Sequence, residues 1–516
     1  MVSFLMLAIP LLYVVGALVP AKLAGSQRLR IMRGCASAAL AAAVLALAAG
    51  LVWGIQHQPE MAWLSSTRLS LVMLCLVGFI GLVIQRYSER YFDGEPGRER
   101  YDRTFMLALA SVAVVLVADH MLLLLAGWVA ISVCLHTLLK FYPDRPRAVL
   151  AAHKKFLFAR LAELMLLGAF IILYVQQGSW SISHIVATYP SGHLNVWQHL
   201  AAFLLASAAM VKCAQMPMHG WLMQVVEAPT PVSALLHAGI VNLGGYLLIL
   251  FAPVWMSSEI VQTIVLVVSG VTVVLAALSM AVRVSIKVKL AWSTCAQMGL
   301  MLIECGLGMF QLALLHLLAH SCYKAHAFLK SGSAVEAFRE AEYAPYRLPS
   351  VWVWGVAGLW AACVTAAGMA VSEAWLPLSP WLLLGVAVTV MTAERRSSLV
   401  SGSLWRFIGL SVIMVAVYVG LKHVSAWLLE LPHMPVNPVA DIWVGAMVLA
   451  LLAGHLVLRH AAQSPSWRAI ERGFYAGLYL DEWATRLTLA IWPVSLPTRP
   501  HPKQPGGYTP ALESQS

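Results

Sequence analysis

Long stretches of apolar side chains, uninterrupted by polar residues, recur along this chain from its first residues to about position 460. Each runs for about 20 residues, the length at which a helix crosses a hydrocarbon core. Backbone groups in lipid must find hydrogen-bond partners within the protein, which leaves helices or a closed barrel. The runs are continuous rather than alternating, and that excludes the barrel. The pattern predicts an all-α polytopic membrane protein of about 14–15 transmembrane helices. The spans fall near 3–20, 32–54, 69–85, 104–118, 121–139, 156–176, 199–216, 232–252, 260–282, 290–308, 311–331, 350–370, 380–393, 404–421 and 442–459.

Polar positions between the runs orient them. Lys22, Arg28, Arg30 and Arg33 follow the first span, and Arg86, Arg90, Arg98, Arg100 and Arg103 the third. Lys140, Arg145, Arg147, Lys154 and Lys155 follow the fifth, Arg283, Lys287 and Lys289 the ninth. Arg339 and Arg347 follow the eleventh, Arg395 and Arg396 the thirteenth, whereas 177–198, 253–259 and 422–441 are nearly free of Lys and Arg. Basic loops stay cytoplasmic, so this alternation predicts an external N-terminus and a cytoplasmic C-terminus. The first positive charge, Lys22, comes after the first apolar run, as expected of a retained span rather than a cleaved signal.

Two regions break the pattern. Residues 217–231 place Pro217, Gly220, Pro229 and Pro231 inside an apolar stretch, which predicts short or broken helices of the kind that line a pathway. After residue 460 an amphipathic segment begins, and 497–516 reads as a Pro-rich disordered tail. The chain thus divides into N-terminal helices and a cytoplasmic loop (1–100), a central core with the broken region (101–400), C-terminal helices (401–460) and a cytoplasmic amphipathic segment with its tail (461–516).

Composition agrees. Of 516 residues, 60% are hydrophobic and only 11% charged, against about 25% in soluble domains. The net charge of +11 resides in the short loops, and no basic, aromatic-interleaved soluble segment suggests nucleic acid. The eight cysteines lie scattered without a CxxC pair, so they read as apolar packing residues rather than as a disulfide framework or zinc site.

Ionisable residues inside spans are costly and therefore candidates for function. Lys212 lies in LLASAAMVKCAQM, where the alternative is a lysine reaching the headgroups from a helix end. Glu163 lies in ARLAELMLLGAF, where the alternative is a pair with Arg160 at i−3. In LLHLLAHSCYKAHAFLKSG, His316, His320 and Lys324 are four residues apart, so a helix aligns them on one face, with His326 and Lys330 elsewhere. Such a row suits a proton relay, since histidine titrates near neutrality. Two histidines at i and i+4 could also share a metal, but HxxxH lacks the Glu of HExxH and a third ligand. His237, just after the broken region, is either a relay member or a hydrogen-bonded core histidine.

The stretches AGWVAISVCLHTLLKFY, VKCAQMPMHGWLMQVVEAPTPVSALLHAGIVNLGGYLL, KVKLAWSTCAQMG and HLLAHSCYKAHAFLKSGS resemble the proton-translocating antiporter family shared by respiratory complex I and multisubunit Mrp Na⁺/H⁺ antiporters. The resemblance covers roughly 60–335. It implies that Lys212 is the central channel lysine, that Glu163 matches an acidic residue of the following helix, and that His237, His316, His320 and Lys324 line the central polar axis. Two positions depart: the family's G-W-E reads Gly127-Trp128-Val129, and the lysine of its second half is replaced at Val371-Ser372-Glu373, which makes Glu373 a further candidate.

With the ending GLYLDEWATRLT (477–488), these departures are similar to the membrane subunits of two-component inorganic-carbon pumps. That likeness implies a multi-pass subunit of the cell inner membrane that conducts a cation, H⁺ or Na⁺. Its cytoplasmic partner would be a zinc protein resembling a β-carbonic anhydrase, and the alternative is an antiporter-like subunit of a complex I-type or Mrp-type assembly. No nucleotide, flavin, haem or iron–sulfur motif occurs, so the expectation is a transport subunit without a cofactor of its own. Trp467, Phe474, Tyr475, Tyr479, Trp483 and Trp492, with Asp481, Glu482 and Arg486, form the expected docking surface. The alternative for that segment is a helix lying on the lipid surface.

Overall fold

The computed structural model describes residues 2–20, 22–23, 25–54, 63–64, 67–190, 192–333, 349–372, 377–396, 404–428, 437–460 and 465–495. Among them every extended element is helical, and β-type pairing is confined to the isolated bridges Leu64–Ala118 and His120–Ser181. Eight stretches are long and apolar enough to cross a membrane, and four shorter apolar helices accompany them. Three further helices of 20 or 21 residues, Arg98–Val117, Ile286–Gly306 and Phe310–Leu329, bring the described elements to the fifteen expected positions.

The first half runs α1 (Val2–Ala17), α2 (Gly25–Trp53), α3 (Arg68–Tyr91), α4 (Arg98–Val117), α5 (Met121–Leu139), α6 (Pro146–Gln177), α7 (Ile182–Thr188) and α8 (Val196–Lys212). Next come the short α9 (Gly220–Gln224), α10 (Thr230–Ala238), α11 (Leu243–Leu250) and α12 (Ala252–Met256), then α13 (Glu259–Ala281), α14 (Ile286–Gly306) and α15 (Phe310–Leu329). The remaining helices are Val351–Ser372, Ser379–Arg396, Leu404–Leu428, Pro438–His460, Pro465–Tyr475 and Glu482–Ile491.

Local chemistry sets the helix ends. Asn195 and Gln198 form a capping box that starts α8, each side chain bonding the other's backbone N–H at 2.9 Å. Asp119, between α4 and α5, accepts hydrogen bonds from Ser181 and from the amide and hydroxyl of Ser183, tying α7 across the α4–α5 junction. Asp441 accepts from the Leu378 and Ser379 amides at 2.7 and 2.8 Å, filling the orphan donors of the helix that begins there.

Two expectations need correction. Lys154 and Lys155, read above as loop residues, lie inside α6. That helix starts with Pro146 in its first turn, where proline's missing N–H costs nothing, and runs through both lysines. Both lysines are buried. The break in the middle of the chain is also wider than its prolines suggested. The 232–252 span divides at Gly239, where a 3₁₀ turn (Ile240–Asn242) separates α10 from α11, and again before α12.

The core gathers around this break. α11 crosses α8 so closely that a Cβ built on Gly244 would stand 2.6 Å from both the Ala209 carbonyl oxygen and the Cys213 sulfur. Near the other end of the chain, Gly477, Leu478 and Tyr479 have φ of 70°, 54° and 57°, one turn of left-handed backbone. For the two non-glycine residues that conformation costs about 1–2 kcal/mol each, so surrounding contacts must hold it.

The Gly244 contact is with backbone and cannot move aside. Gly244→Ala should therefore cost about 1–3 kcal/mol and lower the melting temperature of the detergent-solubilised protein. Gly355→Ala, at a position with open space around its Cα, should leave that melting temperature unchanged.

Candidate functional site

α8 ends at Lys212 because the chain turns there into the broken region, and this places the lysine side chain inside the helix body. Its ammonium lies 4.6 Å from the centre of the buried Trp128 ring, a cation–π contact with the middle residue of Gly127-Trp128-Val129. Beside it is a cavity of about 20 Å³ whose wall includes Trp128, Lys155, Phe158, Lys212, Trp221 and Ile240. That is room for a single water. Lys155 donates to the Ser132 carbonyl at 3.2 Å. Glu163 is buried and paired with Arg160 at 2.7 Å, and the same guanidinium donates to the Ser132 hydroxyl at 2.8 Å. The i−3 pair envisaged from the sequence is thus formed. It sits in one network with Ser132 and Lys155.

A second line of polar groups runs along α14 and α15. His316 Nδ1 meets both oxygens of Glu304 at 3.0 and 3.1 Å, and its Nε2 meets Gln297 Oε1 at 2.8 Å. A ring donating from both nitrogens is an imidazolium, while flipping the Gln297 amide suits a neutral ring, so a side-chain rotation accommodates either state. One turn on, the buried His320 ring lies 6.2 Å from that of His316, and its Nε2 has no hydrogen-bond partner. One turn further, Lys324 is fully buried and donates to the Leu290 carbonyl at 3.0 Å. The Thr294 hydroxyl donates to that carbonyl at 2.9 Å, and His237 Nδ1 lies 3.1 Å from the Thr294 oxygen. Because the hydroxyl proton is already committed, Nδ1 of His237 is the donor. Its Nε2 is left as a buried acceptor without a partner.

Asn242 closes the break between α10 and α11. Its amide donates to the Ala238 carbonyl at 3.1 Å and to the Ser321 hydroxyl of α15 at 2.7 Å. The backbone freed by the break is thereby tied to the helix that carries His316, His320 and Lys324.

The amphipathic segment folds back on this chain. Lys154 Nζ, fully buried, forms an ion pair with Asp481 and donates to the Thr485 hydroxyl at 2.7 Å. Burial raises the Asp481 carboxyl above its usual range, while the charge and hydrogen bond of Lys154 act in the opposite direction. Trp483 packs edge-on against Phe158, and Trp492 packs against His153 and Phe156. The Arg283 guanidinium lies 5.4 Å from the Trp292 ring and 5.2 Å from that of Tyr475. Glu482 and Arg486 pair with each other at 3.2 Å on the outer side, and Tyr479 is exposed.

The structure brings together Lys212 and Glu163 in one group, and His237, His316, His320 and Lys324 in another. Glu373 and the Trp467 side chain lie outside the described residues. Glu304, Gln297, Thr294 and Lys155 were not singled out from the sequence. Glu304 could have been, being an acid inside an apolar run like Glu163. Among the described residues no group of three His, Cys, Asp or Glu is placed to hold a metal ion.

Residues 118–347 match the family described as NADH:quinone oxidoreductase/Mrp antiporter, TM, and residues 63–101 match NADH-Ubiquinone oxidoreductase (complex I), chain 5 N-terminus. The chain is 51% identical over 449 residues to the "Probable inorganic carbon transporter subunit DabB" of Hydrogenovibrio crunogenus, covering 86% of each chain. It is 36% identical over 467 residues to subunit DabB2 of Halothiobacillus neapolitanus, 86% of this chain and 84% of that one. NADH-quinone oxidoreductase subunit L of Escherichia coli is 34% identical over 275 residues, 52% of this chain and 44% of its own. A chain of an Mrp complex from a Dietzia species shares the fold, with TM-score 0.62 at 21% identity, over 95% of this chain and 60% of that one.

The Glu304–His316 contact can be weighed directly. In a double-mutant cycle on unfolding, Glu304→Gln and His316→Gln should each destabilise, and the double variant by less than their sum, with a coupling of roughly 0.5–3 kcal/mol. Additive losses would mean that the two side chains do not support each other.

Proposed function

The chain belongs to the DabB family of inorganic carbon transporter subunits, relatives of the membrane subunits of complex I and Mrp antiporters, and on that premise we propose that it is the cation-conducting subunit of an inorganic-carbon accumulation complex. The cation is H⁺. It passes by way of Lys212 and Glu163 in the first half and His237, His316, His320 and Lys324 in the second. Downhill flux energises a DabA-type zinc subunit on the cytoplasmic face, where CO₂ is hydrated one way to bicarbonate. Zinc and catalysis belong to that partner. This chain sits in the cell inner membrane with its N-terminus outside and its C-terminus cytoplasmic.

The observation that carries this reading is the set of buried, exchange-capable groups on both sides of a broken helix. Lys212 rests on an aromatic face beside a water-sized cavity rather than against a carboxylate at hydrogen-bond distance. An ammonium held by a ring quadrupole keeps an attractive contact without a permanent ion pair, which suits a group that must both take up and release a proton. The histidines supply buried ring nitrogens without a hydrogen-bond partner at His237 Nε2 and His320 Nε2, positions at which an imidazole can take up or release a proton. A complex I-type or Mrp-type role is the second reading. The family matches to residues 118–347 and 63–101 favour it, because they are shared with those assemblies.

Partner docking is assigned to the segment after Pro438–His460. Its outer side presents Tyr479 with the Glu482–Arg486 pair, an aromatic and charged combination typical of interface anchors.

Two measurements test this reading. Lys212→Met should abolish carbon uptake in cells while leaving membrane insertion and partner binding intact; near-normal uptake from a well-expressed variant would sink the assignment. Ending the chain at residue 462 should leave an inserted protein that no longer retains its soluble partner in detergent. Stoichiometric recovery of that partner with the shortened chain would place docking in the loops.

A further inference from the structure

Asp481 is the point at which the C-terminal segment penetrates the helix body. Its side chain is 25% exposed, while that of Lys154, its partner, is fully buried. One carboxylate oxygen is engaged with Lys154 and the other is buried without a partner. The carboxylate fills the space above Gly220, where a Cβ would collide with it, so only glycine permits the approach. A single, partly exposed acid therefore connects the surface of the protein to a fully buried lysine.

Three elements lead from this contact to the cavity beside Lys212. Lys154 is followed by Lys155, and Gly220 by Trp221, and both following residues are in the cavity wall. Phe158, one turn on from Lys154, is also in the wall and carries Trp483 against its edge. The left-handed turn at Gly477–Tyr479 aims Asp481 at this place, and the stacking of Arg283 with Trp292 and Tyr475 holds the turn. Strained backbone of this kind persists where its surroundings over-determine it, and it clusters at functional positions.

We propose that Asp481, paired with Lys154, is the port through which protons pass between the aqueous phase and the Lys155–Lys212 cavity, with the segment Gly477–Ile491 as the strap that holds it there. Lys154, charged in the ion pair, gives up a proton toward the cavity at Lys155, and the neutral amine is then reloaded from the Asp481 carboxyl, whose side chain is 25% exposed and takes its own proton from water; nothing is oxidised or reduced. This rests on the reading of the Lys212 cavity as part of the ion path.

The test uses the complete complex with its soluble partner, reconstituted in liposomes under an imposed pH difference, with internal pH followed by a trapped dye. Asp481→Asn keeps the shape of the side chain and an acceptor for Lys154 but cannot carry a proton. Its proton flux should fall by about tenfold or more, as should that of Lys154→Met, while residues 477–491 remain as resistant to added protease as in the parent. Lys212→Met serves as the reference for the cavity and should not conduct. Flux within about twofold of the parent in Asp481→Asn, with Lys212→Met silent, overturns the port and leaves the cavity reading standing. Parent-like flux in Lys212→Met removes the cavity reading and the port with it. A protease-sensitive segment in Asp481→Asn assigns the ion pair to anchoring alone, which also overturns the port.

Discussion

The structure depends on how the protein satisfies backbone that stops being helical in the middle of the molecule. Hydrocarbon offers no hydrogen bonds, so every group released where α8 ends and where α10 gives way to α11 needs a protein partner. The Met216 amide donates to the Thr272 hydroxyl at 3.0 Å, and the Gln215 side chain donates to the Cys213 carbonyl at 2.8 Å. Trp221 donates to the Val211 carbonyl, and Asn242 to that of Ala238. Each partner comes from a helix or turn drawn in around the break, so the break can exist only at the centre of the bundle. The same enclosure provides an interior polar enough for buried lysines, away from the lipid.

Within that interior the two groups of candidate residues solve the problem of buried charge differently. Around Lys212 the positive side chains outnumber the carboxylates: among the described residues Lys155, Arg160 and Lys212 share the neighbourhood with Glu163. Arg160 takes Glu163, Lys155 takes a backbone carbonyl, and Lys212 takes the face of Trp128. Along α14 and α15 the arrangement is closer to a chain of neutral donors and acceptors, anchored at one end by Glu304 and His316 and at the other by Lys324 on the Leu290 carbonyl. Residue 129, next to Trp128, is valine, so the first group has no carboxylate at that position. The Arg160–Glu163 pair is the nearest carboxylate-bearing group in the same network.

How far the sequence could be read follows from what each feature depends on. Apolar length is a local property, so the fifteen helical positions were legible, as was the alignment of His316, His320 and Lys324, which needs only the helical repeat. Lys154 was not. A lysine just before an apolar run looks the same whether it lies in a loop or at the buried end of a helix. What decides the matter is Asp481, 327 residues away in the chain. Glu304 carried the same signal as Glu163, an acid inside an apolar run, but its partner His316 lies across the turn between two helices and leaves no local pattern. The division at Gly239 carries only one glycine as a signal, and its hydrogen-bonding solution depends on Ser321 in α15.

The C-terminal segment shows why burial at one face and exposure at the other belong to one mechanism. Its inner face is fixed at Lys154, Phe158 and His153, and its outer face carries Tyr479 and the Glu482–Arg486 pair. Between them is a helix of only ten residues, Glu482–Ile491, with a strained turn at its start. Amphipathic helices that merely lie on lipid need no such inward contact, because their apolar side is satisfied by the bilayer. An acid that instead crosses the packing surface to reach a fully buried lysine ties the segment to α6, the helix whose Lys155 and Phe158 line the Lys212 cavity.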